Sequence, residues 1–88
     1  MTGIILEKVK VSQYFQFTRQ RPDRIGIKNE WIKKVMEKPL RKETQTDGRI
    51  RMWGKIGEAG NKYLRVILLD DHETVHNAFF DRTFREPS

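Results

Sequence analysis

The sequence contains no cysteine, only three prolines and no apolar run longer than four residues. The absence of cysteine excludes a disulfide framework, a thiolate zinc site and a cysteine nucleophile. A bilayer span needs roughly 20 apolar residues, so no transmembrane segment and no membrane partner are expected. The N-terminus also lacks the basic-then-apolar pattern of a secretory signal, and we expect a cytoplasmic protein.

The chain is rich in charged residues, with 18 Lys and Arg and 12 Asp and Glu among its 88 residues. This length fits a single domain over residues 1–88. The excess of basic over acidic residues is confined to residues 1–46, which hold eleven basic and five acidic residues, whereas residues 47–88 hold seven of each. Because Lys and Arg gain affinity by releasing counterions from phosphates, this balance favours a polyanionic partner.

The first part of the chain predicts an extended segment followed by a short helix. Residues 3–11 are rich in β-branched side chains and partly alternate, which is typical of an edge strand or an extended N-terminal arm. Ser12 can cap a helix that continues to about Gln20 and turns Tyr14 and Phe15 inward.

A second helix is predicted to begin after Asn29, which we take as its N-cap. Its apolar residues recur with helical spacing and form one stripe that ends before Pro39. The members of this stripe are Trp31, Ile32, Val35 and Met36.

The second half changes to a period of two, which indicates strands. Asp47-Gly48 predicts a type I′ hairpin turn between residues 41–46 and 49–56. Further strands are expected over residues 62–69 and 74–82. The predicted fold is therefore α+β, with two N-terminal helices packed on a four-stranded antiparallel meander, and with an N-terminal edge strand as a further element.

Strand alternation turns one set of basic and aromatic side chains away from the helices. If the turn after the second strand centres near Ala59, Trp53 lies opposite Arg65, and Arg51 lies opposite Ile67. Such a surface can bind phosphates through guanidinium groups and stack a base, as sites for single-stranded RNA do. The alternative is an ordinary solvated face with a Trp–Arg contact. The predicted RNA-binding residues are Arg49, Arg51, Trp53, Tyr63 and Arg65.

His76 is one of only two histidines, the residue type that ordinarily titrates near neutral pH. It lies opposite Ile67 if the strands stay in phase, whereas a one-residue shift places Asn77 there. RNA can be cut without a metal when a base, a cation and an acid converge on the phosphate. His76 is the candidate for proton transfer, with Arg49, Arg51, Arg65 or Arg82 holding the charge; a purely structural histidine is the alternative.

Two other groups of residues have more than one interpretation. Asp70, Asp71, His72, His76 and Asp81 lie close in sequence, but strand residues four apart are separated by roughly 13 Å, so we expect a polar turn without a metal or cofactor. A dense basic segment surrounds both helices and indicates either a nucleic-acid footprint or a docking site for an acidic protein. Its members are Arg19, Arg21, Arg24, Lys28, Lys33, Lys34, Lys38, Arg41 and Lys42.

The order of elements from Ser12 to Phe84 resembles a small bacterial domain family that groups with the RelE/ParE-like toxins, especially the BrnT branch. The resemblance is carried by short motifs along most of the chain. They are Arg21-Pro22-Asp23-Arg24 with Ile27, the helix ending at Pro39, residues 47–53 (Asp-Gly-Arg-Ile-Arg-Met-Trp), residues 63–67 (Tyr-Leu-Arg-Val-Ile) and a last strand bearing Arg82.

This resemblance implies a fold with two helices on a curved sheet, like that of the microbial ribonucleases. It also implies metal-independent cleavage of messenger RNA and inhibition by an acidic antitoxin-like protein. Whether the protein forms a homodimer is left open. Arg49, Arg51 and Arg65 match the basic positions of the sheet, and Arg82 matches the last strand. The catalytic candidates are therefore His76, Arg65 and Arg82.

Overall fold

The computed structural model describes residues 9–86, and the fold over this range is α+β. Two helices precede four strands, as the change of period from 3.6 to two predicts. The helices are α1 (Gln13–Thr18) and α2 (Asn29–Glu37), and the strands are β1 (Arg41–Thr44), β2 (Ile50–Ile56), β3 (Lys62–Leu68) and β4 (Val75–Phe80).

The four strands form one antiparallel sheet in the order β1-β2-β3-β4, so the predicted meander is confirmed. In the register of β2 and β3, Trp53 pairs with Arg65 and Arg51 pairs with Ile67, as predicted. Between β3 and β4 the register shifts at Ile67 and Leu68. The register of β2 and β3 follows from strand alternation, because it buries the aliphatic side chains of both strands together.

The predicted N-terminal strand over residues 3–11 lies largely outside the described residues. Its last residue, Val11, forms a parallel bridge with Val75 at the free edge of β4. The Val75 amide donates to the Lys10 carbonyl at 2.8 Å, and the Ser12 amide donates to the Val75 carbonyl at 3.0 Å. The described part of this segment therefore continues the sheet by one short bridge.

Ser12 caps α1 as predicted, because its side chain accepts a hydrogen bond from the Phe15 amide. Phe15 is buried, but the expectation that Tyr14 faces inward is wrong, since Tyr14 is 48% exposed. Residues 14 and 15 lie about 100° apart around a helix, and so short a helix can bury only one of them against the sheet.

Helix α2 covers one face of the sheet with Ile32 and Val35, which are buried. The expectation that Asn29 is the N-cap is wrong: Lys28 holds that position and Asn29 begins the helix, where its side chain accepts a hydrogen bond from Arg19. A Cβ atom on Gly54 would lie 2.7 Å from Val35 Cγ2, so the glycine is what lets α2 approach β2 this closely.

The first hairpin turn differs from the predicted type I′. Such a turn needs positive φ at two central residues, but Gly48 has φ 90° and Asp47 is not among the described residues with positive φ. The Gly48 amide donates to the Gln45 carbonyl, and the Gln45 amide donates to the Arg49 carbonyl at 2.7 Å. The loop is thus one residue longer, with Gly48 alone in the left-handed region.

The last strand ends earlier than predicted, because β4 stops at Phe80. Arg82 therefore lies in the turn that follows β4 and is exposed, not in the strand itself. Among residues 9–86, no helix combines the length and the apolar character needed to cross a membrane.

Candidate nucleic-acid interface

The face of the sheet that α2 does not cover carries the arginines and aromatic rings predicted from alternation. Across this face one row of neighbouring residues runs from β1 to β4, in the order Arg41, Trp53, Arg65 and Phe79. A second row contains Glu43, Arg51, Ile67 and Asn77. We call this the open face.

Guanidinium groups and aromatic rings alternate along the open face. Trp53 lies between Arg51 and Arg65, whose Cζ atoms are 5.8 Å and 5.1 Å from its ring centroid. Phe79 lies between Arg65 and Arg24, with Cζ at 5.3 Å from the ring centroid in both cases. Each contact is a cation–π interaction of about 0.5–2 kcal/mol. Together they fix the positions of three arginines that would otherwise be mobile.

Arg65 is the central member of this series and its side chain is only 23% exposed. Its Nε atom is buried and lies 3.5 Å from Asp81 Oδ2. Within residues 9–86 its two terminal nitrogens donate to no protein acceptor. An arginine that is held in place while its terminal N–H groups stay free is suited to bind a phosphate through two parallel hydrogen bonds.

Trp53 lies on the same face, but the expectation that it is free to stack a base is wrong in this arrangement. The residue is 5% exposed. Phe84, from the segment after β4, stacks on it with ring centroids 5.2 Å apart and an interplanar angle of 16°. The indole Nε1 donates to Asp81 Oδ2 at 2.9 Å. The hydrophobic ring is therefore covered by the chain itself.

Asp81 is the carboxylate around which this cluster is organised, and its side chain is 8% exposed. Burial raises the pKa of Asp81. Hydrogen bonds from the Thr83 side chain, Trp53 and the Thr83 amide, together with the charge of Arg65, outweigh burial and hold the pKa below its usual value. Asp81 is therefore ionised at neutral pH and orients the indole and the guanidinium that flank it.

A first cleft of about 340 Å³ opens on this face. Its walls include four cationic side chains and two carboxylates: Arg41, Arg51, Arg65, Arg85, Glu43 and Asp81. Glu43 is engaged by two of the cations, with Arg41 Nη2 at 2.6 Å and Arg51 Nη2 at 3.0 Å. Since Asp81 is held by its own hydrogen bonds, Arg65 and Arg85 are the cations left to face a ligand.

A second cleft of about 600 Å³ lies beside the first, next to the turn over residues 21–25. It also combines cations with aromatic rings. Its lining includes Arg24, Lys62, Arg82, Arg85, Tyr63, Phe79, Phe80 and Phe84. Asp81, Phe84 and Arg85 line both clefts, so the two are contiguous.

The other two predicted RNA-binding residues lie at opposite ends of the open face. Tyr63 lines the second cleft, and its hydroxyl donates to Glu86, a bond that raises the pKa of Tyr63. Arg49 lies at the hairpin end, where it forms a 3.7 Å ion pair with Asp47. Arg51, Trp53, Tyr63 and Arg65 are thus grouped about the clefts, whereas Arg49 lines neither of them.

The structure shows which residue of β4 lies opposite Ile67. Asn77 pairs with Ile67, and His76 occupies the irregularity beside it. Asn77 Oδ1 accepts from Arg24 Nη1 at 2.9 Å. His76 Nδ1 is 3.0 Å from Ser12 Oγ, and its ring stacks on Tyr14 with centroids 4.7 Å apart. Burial, and then the charge of Arg49, lower the pKa of His76.

The three predicted catalytic residues therefore occupy three places. Arg65 lies at the first cleft, Arg82 lines the second, and His76 lines neither and contacts the start of α1. As for metals, no group of three or more His, Asp or Glu residues within residues 9–86 is placed to hold an ion. What the arrangement offers chemically is a set of ordered guanidinium groups for binding an anion.

Sequence reasoning did not assign Arg24, Phe79 or Phe84 to this site. Phe79 was detectable, because placing Asn77 opposite Ile67 also places Phe79 opposite Arg65. Arg24 comes from a turn far away in sequence, and Phe84 from a segment without periodicity, so no pattern assigned them. No protein-family model matches the chain, and comparison with curated proteins and with solved structures gives no match either.

Proposed function

We propose that this protein is a toxin-like RNA-binding domain whose open face holds the phosphate backbone. The observation that carries this proposal is Arg65, a guanidinium fixed between Trp53 and Phe79 with free terminal N–H groups at the floor of a cleft. Phosphate is the ligand whose geometry matches such a group. Trp53 is itself covered, but the half-buried rings of Tyr63 and Phe80 in the adjoining cleft supply surfaces for bases, which favours RNA over a protein carboxylate.

The net charge of +6 supports the same proposal, although the excess of basic residues lies within residues 1–46 and residues 47–88 are balanced. The resemblance to RelE/ParE-like toxins points in the same direction and adds metal-independent cleavage of RNA as a finer proposal. The geometry favours binding over cleavage, because His76 contacts Ser12 and Tyr14 and lines neither cleft. Cleavage would need His76, or another base, to reach the phosphate held at Arg65.

Binding is tested by measuring the affinity for labelled RNA of Arg65→Ala and of Arg49→Ala. We expect Arg65→Ala to weaken binding about 10- to 100-fold, because it removes charge-assisted hydrogen bonds. Arg49→Ala should have a smaller effect, since Arg49 lies outside both clefts. The matched control is Lys34→Ala, which removes the same charge from an exposed position on α2. If both arginine variants bind RNA as tightly as the wild type and have the same circular dichroism, the open face is excluded as the RNA-binding surface.

Cleavage is tested separately by incubating the purified protein with messenger RNA in EDTA. Metal-independent cleavage leaves a 2′,3′-cyclic phosphate at the new end, because the neighbouring 2′-hydroxyl attacks the phosphate. If His76 transfers the proton, His76→Gln abolishes the products while RNA affinity stays the same. Intact RNA together with tight binding would mean that the domain binds without cutting.

A second candidate function is a non-catalytic interaction module that docks an acidic protein. It is favoured by two large apolar side chains in the basic half of the chain, Phe17 and Ile25, which are 72% and 70% exposed. Against it, Lys33 forms an ion pair with Glu37 at 3.5 Å, as its spacing predicts, and such pairs are typical of an ordinary solvated helix.

The test of this candidate is charge reversal at Lys33 and Lys34 combined with Phe17→Ser. Loss of an acidic partner, in a protein that does not bind RNA at all, would support the module. Retention of the partner by the charge-reversed and Phe17→Ser variants would exclude it.

A further inference from the structure

The second cleft has the features of a nucleotide site, although no sequence pattern indicates a second cavity. Its volume of about 600 Å³ is within the range of pockets for small ligands, about 300–1,000 Å³. Four cationic side chains and four aromatic rings line it. This combination suits a ligand that has both a phosphate and a flat ring.

Two of these cations are held in place by aromatic rings. Arg24 Cζ lies 5.3 Å from the ring centroid of Phe79, and Lys62 Nζ lies 5.7 Å from that of Phe80. The Arg24 side chain is further fixed by its hydrogen bond to Asn77. The walls of the cleft are thus ordered before any ligand arrives, which lowers the entropic cost of binding.

The other two cations, Arg82 and Arg85, are exposed and make no ion pair within residues 9–86. The two carboxylates of the lining compete little for a ligand's phosphate. Asp81 is occupied by Trp53 and Thr83, and Asp23 is largely exposed and 3.8 Å from Arg24 Nε. The charge that a ligand meets in this cleft is therefore positive.

We infer that the second cleft binds the nucleotide next to the one whose phosphate lies on Arg65, so that the ligand is single-stranded RNA. This inference rests on the proposed function. The two clefts share Phe84 and Arg85 in their walls, so a chain leaving Arg65 passes directly into the second cleft. The next phosphate meets Arg82 and Arg85, and its base lies against the aromatic rings.

Single-stranded RNA follows from the shape of the site. The rings of the second cleft lie inside a concavity, and only an unpaired base can turn away from its neighbours to reach them. A duplex presents its phosphates outward and keeps its bases stacked within, so it can contact the arginines but not the rings. Stacking contributes about 1–3 kcal/mol per base, and this part of the affinity is lost for a duplex.

The experiment measures affinity for oligouridylates of increasing length and for a duplex, with the wild-type chain and with Lys62→Ala/Arg82→Ala, whose two cations line the second cleft and not the first. For the wild type we expect affinity to rise as the oligouridylate becomes long enough to fill both clefts. The double variant should lose this gain, about tenfold or more, while its affinity for the shortest ligand stays within about twofold. Its salt dependence should fall by about 0.7 in slope for each phosphate contact removed.

The matched control is Lys34→Ala/Lys38→Ala, which removes two exposed positive charges from the other side of the sheet. Equal losses for short and long ligands in Lys62→Ala/Arg82→Ala, or equal effects of the two double variants, would overturn the second cleft as a site. Duplex binding as tight as that of the single strand would overturn the ligand class. Failure of the proposed function is distinct, because then Arg65→Ala leaves binding unchanged at every length.

Discussion

The two faces of this sheet are built from the same strands but are covered in different ways. On one face, Leu64 and Val66 pack against the apolar stripe of α2 and are fully buried. On the other, Arg65 lies between aromatic rings, and the segment after β4 crosses it. The aliphatic side chains of the first face lie within the core, whereas on the second face the Nε atoms of Arg51 and Arg65 have no hydrogen-bond partner among residues 9–86.

The difference shows how a small domain can combine stability with binding. Alternation within one strand assigns Leu64 to the core and Arg65 to the open face, so adjacent residues have separable roles. Burial of aliphatic groups supplies the favourable free energy of folding. Arg65 is oriented by ring contacts, which leaves its polar end available. We therefore expect substitutions on the two faces to change different measured quantities.

The largest expected effect separates these two neighbours. Leu64→Ala removes a fully buried side chain and should lower the free energy of unfolding by about 2–5 kcal/mol in urea titrations. Arg65→Ala should lower it by at most about 2 kcal/mol, because cation–π contacts on a partly exposed group are weaker. Equal losses of stability in both variants would contradict the separate roles of the two faces, since Arg65 would then belong to the core.

A smaller effect is expected where α2 meets the sheet. Gly54→Ala places a Cβ atom 2.7 Å from Val35 Cγ2, and we expect overpacking to cost about 1–3 kcal/mol of unfolding free energy. Val35→Ala removes the atom that collides. In that background, Gly54→Ala should cost much less, and the double-mutant cycle measures the difference. An equal cost in both backgrounds would mean that α2 does not press on Gly54.

On the open face, Phe84→Ala tests whether the segment after β4 protects Trp53. Loss of the stacked ring should cost about 1–2 kcal/mol and expose the indole. Trp31→Phe provides a background in which Trp53 is the only tryptophan. There, we expect Phe84→Ala to increase quenching of Trp53 fluorescence by acrylamide. Unchanged quenching would show that residues other than Phe84 cover the ring.

Much of this fold could be predicted because local patterns agree with the packing. Helical spacing predicted the stripe of α2, and alternation predicted the pairing of Trp53 with Arg65. The first hairpin was located correctly but its turn type was wrong, because Asp-Gly is compatible with both a two-residue loop and the observed longer one. Turn type depends on how the flanking strands finish, which residue identity alone does not show.

The site was predicted only in part, for a different reason. Arg51, Tyr63 and Arg65 follow from alternation alone. Alternation gives the direction of a side chain but not what covers it, so Trp53 was expected to be exposed although Phe84 lies on it. The position of His76 depended on an irregularity in the register, which no sequence period encodes.

The smallest expected effect concerns His76, at the edge between the two faces. Burial and Arg49 lower its pKa below the ordinary 6.5, so the unfolded chain binds more protons in the interval between the two values. The free energy of unfolding should therefore rise with pH through this interval. The contribution is fully present above about pH 6.5 and is lost as the pH falls toward the folded-state pKa. Urea titrations across this range should show a shallower slope for His76→Gln, and an unchanged slope would mean that His76 titrates alike in both states.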